Sequence, residues 1–164
     1  MKRILPLILA ALIFLSGCNL SAERMKEPVT FYYVRSGFAT DMSQVIGTEQ
    51  REASGHRGDL SYLLALYLIG PSQEGLATPL PKGTRIITVE DRTGGIQLKL
   101  SDTEEAMTDA EFSLACACLS LTSMDLTGAE RVTILSGNRT VTMTRENLEL
   151  YDSGSTAAAT EETK

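Results

Sequence analysis

The 164-residue sequence contains no tryptophan, one histidine and three cysteines, and each shortage restricts the chemistry open to the chain. Because His56 is the only histidine, any mechanism that needs a Ser-His-Asp or Cys-His arrangement would have to use it. His56 lies in a polar, glycine-containing segment without a recognisable nucleophile motif. We therefore interpret His56 as a solvated loop residue and predict no catalytic residue.

The cysteines are too few for the disulfide framework that supports very small secreted folds. Cys116 and Cys118 are two positions apart in a segment with helical periodicity, where side chains point about 200° away from each other. They match neither the Cys-x-x-Cys spacing of redox motifs nor the four-ligand sets of zinc sites. We predict that both thiols are buried and inert, and that the chain uses no metal or other cofactor.

Basic residues are outnumbered, with 15 Lys and Arg against 21 Asp and Glu and a formal net charge of −6. Nucleic-acid binding draws much of its affinity from neutralising phosphates with Lys and Arg, so this balance argues against a nucleic-acid partner. The adjacent carboxylates at Glu90-Asp91, Glu104-Glu105 and Glu161-Glu162 fall in predicted turns or in the tail. We interpret them as solvated surface charge rather than as acid–base pairs.

A long apolar run stands near the N-terminus, between the basic pair Lys2-Arg3 and the small pair Ser16-Gly17. A basic start, an apolar centre and small residues before a cleavage point are the layout of a secretory signal peptide. The run, Ile4–Leu15, is shorter than the ~20 residues that a helix needs to cross a bilayer. Residues 1–17 are therefore predicted to be a signal peptide that is removed.

The segment Leu15-Ser16-Gly17-Cys18 resembles the lipobox of bacterial lipoproteins. The resemblance implies that Cys18 is the lipid-attachment residue, carries acyl chains such as palmitate and becomes the first residue after cleavage. Two or more acyl chains anchor a protein stably. The predicted location is the extracytoplasmic face of the cell membrane. An ordinary cleaved signal followed by a chance cysteine is the alternative.

After cleavage the chain is predicted to comprise a tether at 18–28, one folded domain at 29–148 and a tail at 149–164. The tether is polar and has no helical or strand period. The tail is rich in Ser, Thr, Ala and Glu and cannot bury enough apolar surface to offset chain entropy, so we predict that it is disordered. The length between them suits a single domain with its own core.

Local patterns predict the elements in the first half of the domain. Val29–Val34 is rich in β-branched and aromatic residues, as strands are, and a weaker strand pattern lies around Val45–Arg51. Asp59 is placed to cap a helix over Leu60–Ile69, where apolar residues recur at i, i+3, i+4 and i+7. Gly70-Pro71 would end this helix.

In the second half, Arg85–Glu90 and Ile96–Leu100 flank a glycine-containing turn and predict a hairpin with one buried face. Thr108-Asp109-Ala110-Glu111 matches a capping box and predicts a second buried helix. Arg131–Leu135 and Thr140–Thr144 predict a closing pair of strands. The predicted class is α+β (mixed α/β), with two helices packed on one face of a small sheet.

One stretch in the middle of the chain has a pattern of residues that is more specific than its composition. A Leu-rich helix over Leu63–Ile69 is closed by Gly70-Pro71, the loop that follows contains Gly75-Leu76, and Pro81-Lys82-Gly83-Thr84 leads into a strand. These features resemble the GerM domain, the sporulation and spore germination family, and the resemblance extends from about Val29 to Leu148. Each element sets a chain reversal between helix and sheet, so the resemblance concerns fold rather than catalysis.

The resemblance implies a non-enzymatic α/β module displayed outside the membrane, often on a lipoprotein, whose fold is similar to the ring-building modules of secretion systems. In spore-forming bacteria it implies a role in envelope assembly and in the channel between mother cell and forespore. Ser136 departs from the family pattern, where Asp or Asn is common at this position, and so do the cysteines of the second helix. Because of these departures, the resemblance does not identify which surface binds a partner.

We hypothesise a membrane-anchored lipoprotein whose interaction domain assembles with envelope or sporulation-channel proteins. A peptidoglycan hydrolase that uses His56 is the least favoured of the alternatives. The other alternative is a lipoprotein that binds a small ligand or a cell-wall fragment, with the pocket walls at Ser72–Lys82 and Ser36–Gly58 and an aromatic floor drawn from Tyr32, Tyr33, Tyr62 and Tyr67, of which at least half are expected in the core.

Overall fold

The computed structural model describes residues 26–37 and 45–152. The predicted signal peptide 1–17, the lipid-attachment residue Cys18 and most of the tether and tail lie outside these ranges. Those assignments stay predictions.

A three-stranded antiparallel sheet opens the domain. It consists of β1 (Pro28–Arg35), β2 (Ile46–Glu52) and β3 (Leu76–Ala77), with β1 in the centre. Both strands expected in this region are confirmed, and alternate residues of β1 are buried as a sheet with one covered face requires. The sequence did not predict β3, which lies in the segment interpreted as a loop and pairs with the end of β1.

A separate four-stranded sheet has the order β4-β5-β6-β7 and contains β4 (Ile86–Arg92), β5 (Gly95–Leu100), β6 (Arg131–Ser136) and β7 (Arg139–Thr144). Both predicted hairpins are present. The first turns more tightly than expected, at Thr93-Gly94. The central pair β5–β6 is parallel, because the chain crosses over through a helix between them.

Three α-helices lie in the described ranges, and two of them were predicted. The first, α1 (Leu60–Leu68), begins at Asp59, whose side chain accepts a hydrogen bond from Tyr62 N, and it is followed by Gly70 with a φ of +97°. The second, α2 (Asp109–Thr127), follows a 3₁₀ turn at Glu104–Ala106 and has the predicted capping box. The sequence did not predict α3 (Arg145–Asp152), whose last residues fall within the segment assigned to the tail.

Helix α2 packs against β1 and also against β6 and β7, so it contacts both sheets. Its covered residues join the side chains of the two sheets in a single core. The α+β class is confirmed, with the difference that the strands form two sheets rather than one. The largest fully buried side chains include Phe31, Tyr33, Leu63, Leu64, Tyr67, Leu98, Phe112, Leu119 and Met124.

Candidate interaction surface

A buried ion pair holds the turn after α1. Glu49 and Arg51 are two residues apart on β2, so their side chains lie on the same face, and Arg51 Nε donates to Glu49 Oε1 at 2.9 Å. The Glu49 carboxylate also accepts hydrogen bonds from Ser72 N at 3.0 Å, from Ser72 Oγ and from Gln73 N. The pair therefore fixes the residues that follow Gly70-Pro71.

Arg51 completes this connection from the other side. Its guanidinium donates to the carbonyl oxygen of Leu66, in the last turn of α1, at 3.3 Å, and to that of Gly70, two residues beyond the helix. The guanidinium carbon also lies 5.8 Å from the centre of the Phe31 ring. A cation at a helix C-terminus satisfies carbonyls that have no partner in the helix and opposes the negative end of its dipole.

The electrostatics of Glu49 follow from its position. Burial alone would raise the pKa of Glu49, but the hydrogen bonds from Arg51, Ser72 and Gln73 outweigh it and hold the pKa below its ordinary value. Glu49 therefore stays ionised in the interior and serves a structural role. This pair was not predicted, although a Glu and an Arg at alternate strand positions are visible in the sequence.

Ser136, the position that departs from the family pattern, also has a structural role. Its buried hydroxyl accepts a hydrogen bond from Thr103 N at 3.1 Å and donates to Ser101 O at 2.9 Å. Next to it, Arg139 donates to the carbonyl oxygens of Glu104 and Met107, at 2.8 Å each. The turn between β6 and β7 is thereby fastened to the segment that leads into α2.

The side chains with possible chemical roles do not converge. His56 is exposed and stacks on Tyr62, with 4.0 Å between the ring centroids. Within residues 26–37 and 45–152, no side chain forms a hydrogen bond with its imidazole, so the structure presents no triad there. Cys116 and Cys118 are both buried and free, as predicted, and burial raises the pKa of each thiol to about 12.

The four tyrosines of the ligand-pocket hypothesis do not share a floor. Tyr33 and Tyr67 stack in the core with 4.8 Å between ring centroids, and Tyr33 Oη donates to Tyr67 O at 3.0 Å. Tyr62 lies on the surface, and the half-buried Tyr32 donates through its hydroxyl to Asp125 at 2.8 Å. They therefore form no common aromatic floor, which was the basis for expecting an internal pocket rather than an external surface.

The four-stranded sheet offers such a surface. Its residues alternate between a face covered by α2 and an outer face that no described helix covers. Thr133 on β6 and Thr142 on β7 are cross-strand partners on the outer face, with 3.0 Å between their hydroxyl oxygens. The other polar members of this outer face are Thr88, Glu90, Arg92, Gln97, Lys99, Arg131, Thr140 and Thr144.

The outer face differs from the rest of the chain in charge. Arg92, Lys99 and Arg131 contribute three positive charges and Glu90 one negative charge, whereas the chain as a whole carries −6. A shallow depression of about 280 Å³, lined by Arg92, Gln97, Arg131 and both threonine partners, lies on it. The alternation of Gln97 and Lys99 with apolar residues was a visible signal for this face in the sequence.

Two absences apply to the described part of the chain. Across residues 26–37 and 45–152, no three His, Cys, Asp or Glu side chains are grouped closely enough to hold a metal ion. None of the helices in the same ranges is sufficiently long and apolar to cross a membrane.

Comparison with known proteins identifies the family. A crystal structure of a Clostridium perfringens protein, described as a candidate lipoprotein, is 20% identical, with 74% of this chain and 90% of that chain covered. Its TM-score of 0.44 is too low to establish a shared fold. No protein with a curated description matches the chain. The family model described as Germane, sporulation and spore germination, matches residues 30–142, and the chain therefore belongs to the Germane family.

Proposed function

We propose that this protein is a non-enzymatic lipoprotein, anchored through Cys18 on the outer face of the cell membrane, whose Germane domain binds other envelope proteins. This binding would assemble an envelope complex that acts in sporulation or germination. Family membership over residues 30–142 supports the role in sporulation or germination. The lipobox-like Leu15-Ser16-Gly17-Cys18 supports the anchor.

The proposed contact surface is the outer face of the four-stranded sheet. The polar and positively charged residues of this face are the observation that supports a role in binding other proteins. No helix within the described ranges covers this face, and its hydroxyl, amide and guanidinium groups supply donors and acceptors for a partner. Its positive charges favour a partner with an acidic surface, since electrostatic complementarity speeds association and selects partners. Within residues 26–37 and 45–152, the His56 ring stacks on Tyr62 and forms no hydrogen bond with a serine or cysteine side chain, which supports a binding role rather than hydrolysis.

Photo-crosslinking in the native host tests the contact surface. A photoreactive amino acid placed at Thr142, on the outer face, should give a discrete protein adduct, whereas the same substitution at the exposed Glu52 should give none. Both positions are exposed strand residues, so the pair is matched for access. Equal adduct yields at the two positions, or no adduct at either position, would contradict the proposal. An adduct with wall material alone would favour the cell-wall-fragment alternative.

The anchor needs a separate experiment. The mature protein should carry acyl mass on Cys18 and partition with membranes, and the Cys18→Ala variant should be released into the soluble fraction. A soluble, unacylated wild-type protein would remove the anchor from the proposal while leaving the contact surface open to the crosslinking test.

A further inference from the structure

A groove runs between α1 and the outer edge of β4. Its volume is about 380 Å³, and α1 lines one wall with Ser61, Ala65 and Leu68. The other wall is the start of β4, and its lining residues include Arg85, Ile87 and Val89. The groove thus has a helix on one side and a strand on the other, with mostly apolar side chains between them.

The strand wall has an open edge. Within the described ranges β4 pairs with β5 alone, and so forms one edge of its sheet. In such a strand, alternate residues direct their backbone N–H and C=O groups away from the sheet, where another strand can pair with them. The pairing with β5 shifts between Ile86 and Thr88 and is then regular to Arg92. The regular run, residues 88–92, overlaps the groove lining at Thr88 and Val89, and no described strand pairs with its outer edge.

Two exposed apolar residues lie in or next in sequence to the groove lining. Ile87, which lines the groove, is 52% exposed. Ile69 is 78% exposed and directly follows Leu68, another lining residue. Apolar side chains that remain exposed at a groove are typical of surfaces that bind a partner.

The charge of the groove indicates the chemistry of its occupant. Arg85 is the one charged residue among those that line it. Its guanidinium is exposed and takes part in no ion pair within residues 26–37 and 45–152, although acidic residues outnumber basic ones in the chain. A carboxylate on the occupant would complement Arg85 through a charge-assisted hydrogen bond.

We propose that the groove binds an extended peptide segment of another protein, which pairs with β4 as an additional strand. An apolar side chain of the peptide lies against Ala65 and Leu68, and a carboxylate lies beside Arg85. Strand addition obtains affinity from main-chain hydrogen bonds and specificity from pockets for alternate side chains. Of the residues that line the groove, Thr88 alone also belongs to the outer face of the sheet, so this inference does not depend on the function proposed above.

Selection from a random library of linear dodecapeptides on the full mature chain, carrying Cys18→Ser to keep it soluble, tests this inference. We expect selected peptides to contain apolar residues at alternate positions and an acidic residue. Arg85→Glu should weaken their binding by about tenfold or more, since an attractive charge pair becomes repulsive. The control Arg57→Glu reverses an exposed charge outside the groove and should leave the affinity unchanged.

Two further changes test whether the peptide occupies the groove itself. Ala65 is exposed, so Ala65→Gln fills the groove without entering the core, and it should also weaken binding. Replacing the acidic residue of a selected peptide by Lys should restore the binding of that peptide to the Arg85→Glu variant. Failure to select peptides, or affinities unaffected by both groove variants, would overturn the proposal. The proposal would also be overturned if the chain formed a dimer that the Ala65→Gln variant dissociates, because the groove would then be occupied by a second copy of the chain.

Discussion

Arg51 donates a hydrogen bond to Glu49 from two residues along the same strand, in the interior of the domain. A pair with the same sequence spacing, Glu90 and Arg92, lies on the surface of β4. The side chains of Arg51 and Glu49 are 15% and 6% exposed, whereas those of Arg92 and Glu90 are 60% and 40% exposed. The chain thus contains a matched comparison between a buried and an exposed ion pair.

Removal of the buried cation should destabilise the fold strongly. Arg51→Ala leaves the Glu49 carboxylate buried without its partner and frees the carbonyls of Leu66 and Gly70, so we expect a loss of about 3–5 kcal/mol. Arg92→Ala breaks the exposed pair and should cost about 1 kcal/mol or less. Urea denaturation of both variants measures the difference. Equal losses would show that the buried pair does not hold the turn after α1.

The same carboxylate gives a pH dependence of stability. The pKa of Glu49 is lower in the folded protein than its ordinary value of 4.5. The ion pair therefore contributes fully above the unfolded pKa, and its contribution is lost as pH falls through the folded pKa. In Glu49→Gln, the free energy of unfolding should fall less steeply between about pH 5 and pH 3 than in the wild type. Parallel curves for the two proteins would contradict this assignment.

Gly95 should tolerate no side chain. A Cβ built on Gly95 would lie 2.5 Å from the carbonyl oxygen of Arg131, on the backbone of β6, so β5 and β6 would have to separate. We expect Gly95→Ala to cost about 1–3 kcal/mol, as overpacking does in a dense interior. Gly58→Ala is the control, because a Cβ there meets nothing within 4 Å. Thermal unfolding should show a lower melting temperature for Gly95→Ala alone.

The two thiols of α2 should be unreactive in the folded state. Cys116 and Cys118 are buried, and burial raises the pKa of each to about 12, so the reactive thiolate is scarce at neutral pH. In the mature Cys18→Ser chain, we expect a thiol-specific disulfide reagent to label neither cysteine until urea unfolds the domain. Labelling of the native protein within minutes would show that α2 opens readily or that one thiol is accessible.

Elements with local signals were predictable from the sequence. The caps at Asp59 and Thr108 depend on residues within one helical turn, and both are present. The α3 helix has a comparable local signal that was not used to predict it, since the Thr144 hydroxyl accepts a hydrogen bond from Asn147 N, three residues later. Helix starts were accessible because their hydrogen bonds join near neighbours.

Features that join distant segments were not predictable in this way. The two residues of β3 form a strand because they meet Val34 and Arg35 of β1, about forty positions earlier, and nothing local marks them. No local signal marks Glu49 as buried, because Ser72 and Gln73, which donate hydrogen bonds to it, lie more than twenty positions later in the chain. The division into two sheets likewise follows from how α2 packs against both of them. The groove beside β4 exists only once α1 and the sheet are in place.

The central position of β1 has a mechanical consequence. This strand follows the predicted tether directly, and it is held by β2 on one side, by β3 on the other and by a hydrogen bond from Tyr32 N to Thr122 on α2. A pull on an anchor at Cys18 would therefore enter the domain through a strand that is paired on both sides. The antiparallel pairing with β2, from Pro28 to Val34, would carry that load along its length, with β3 holding the far end of the strand. A domain connected in this way would transmit tension from an anchor to any partner bound at its far surface.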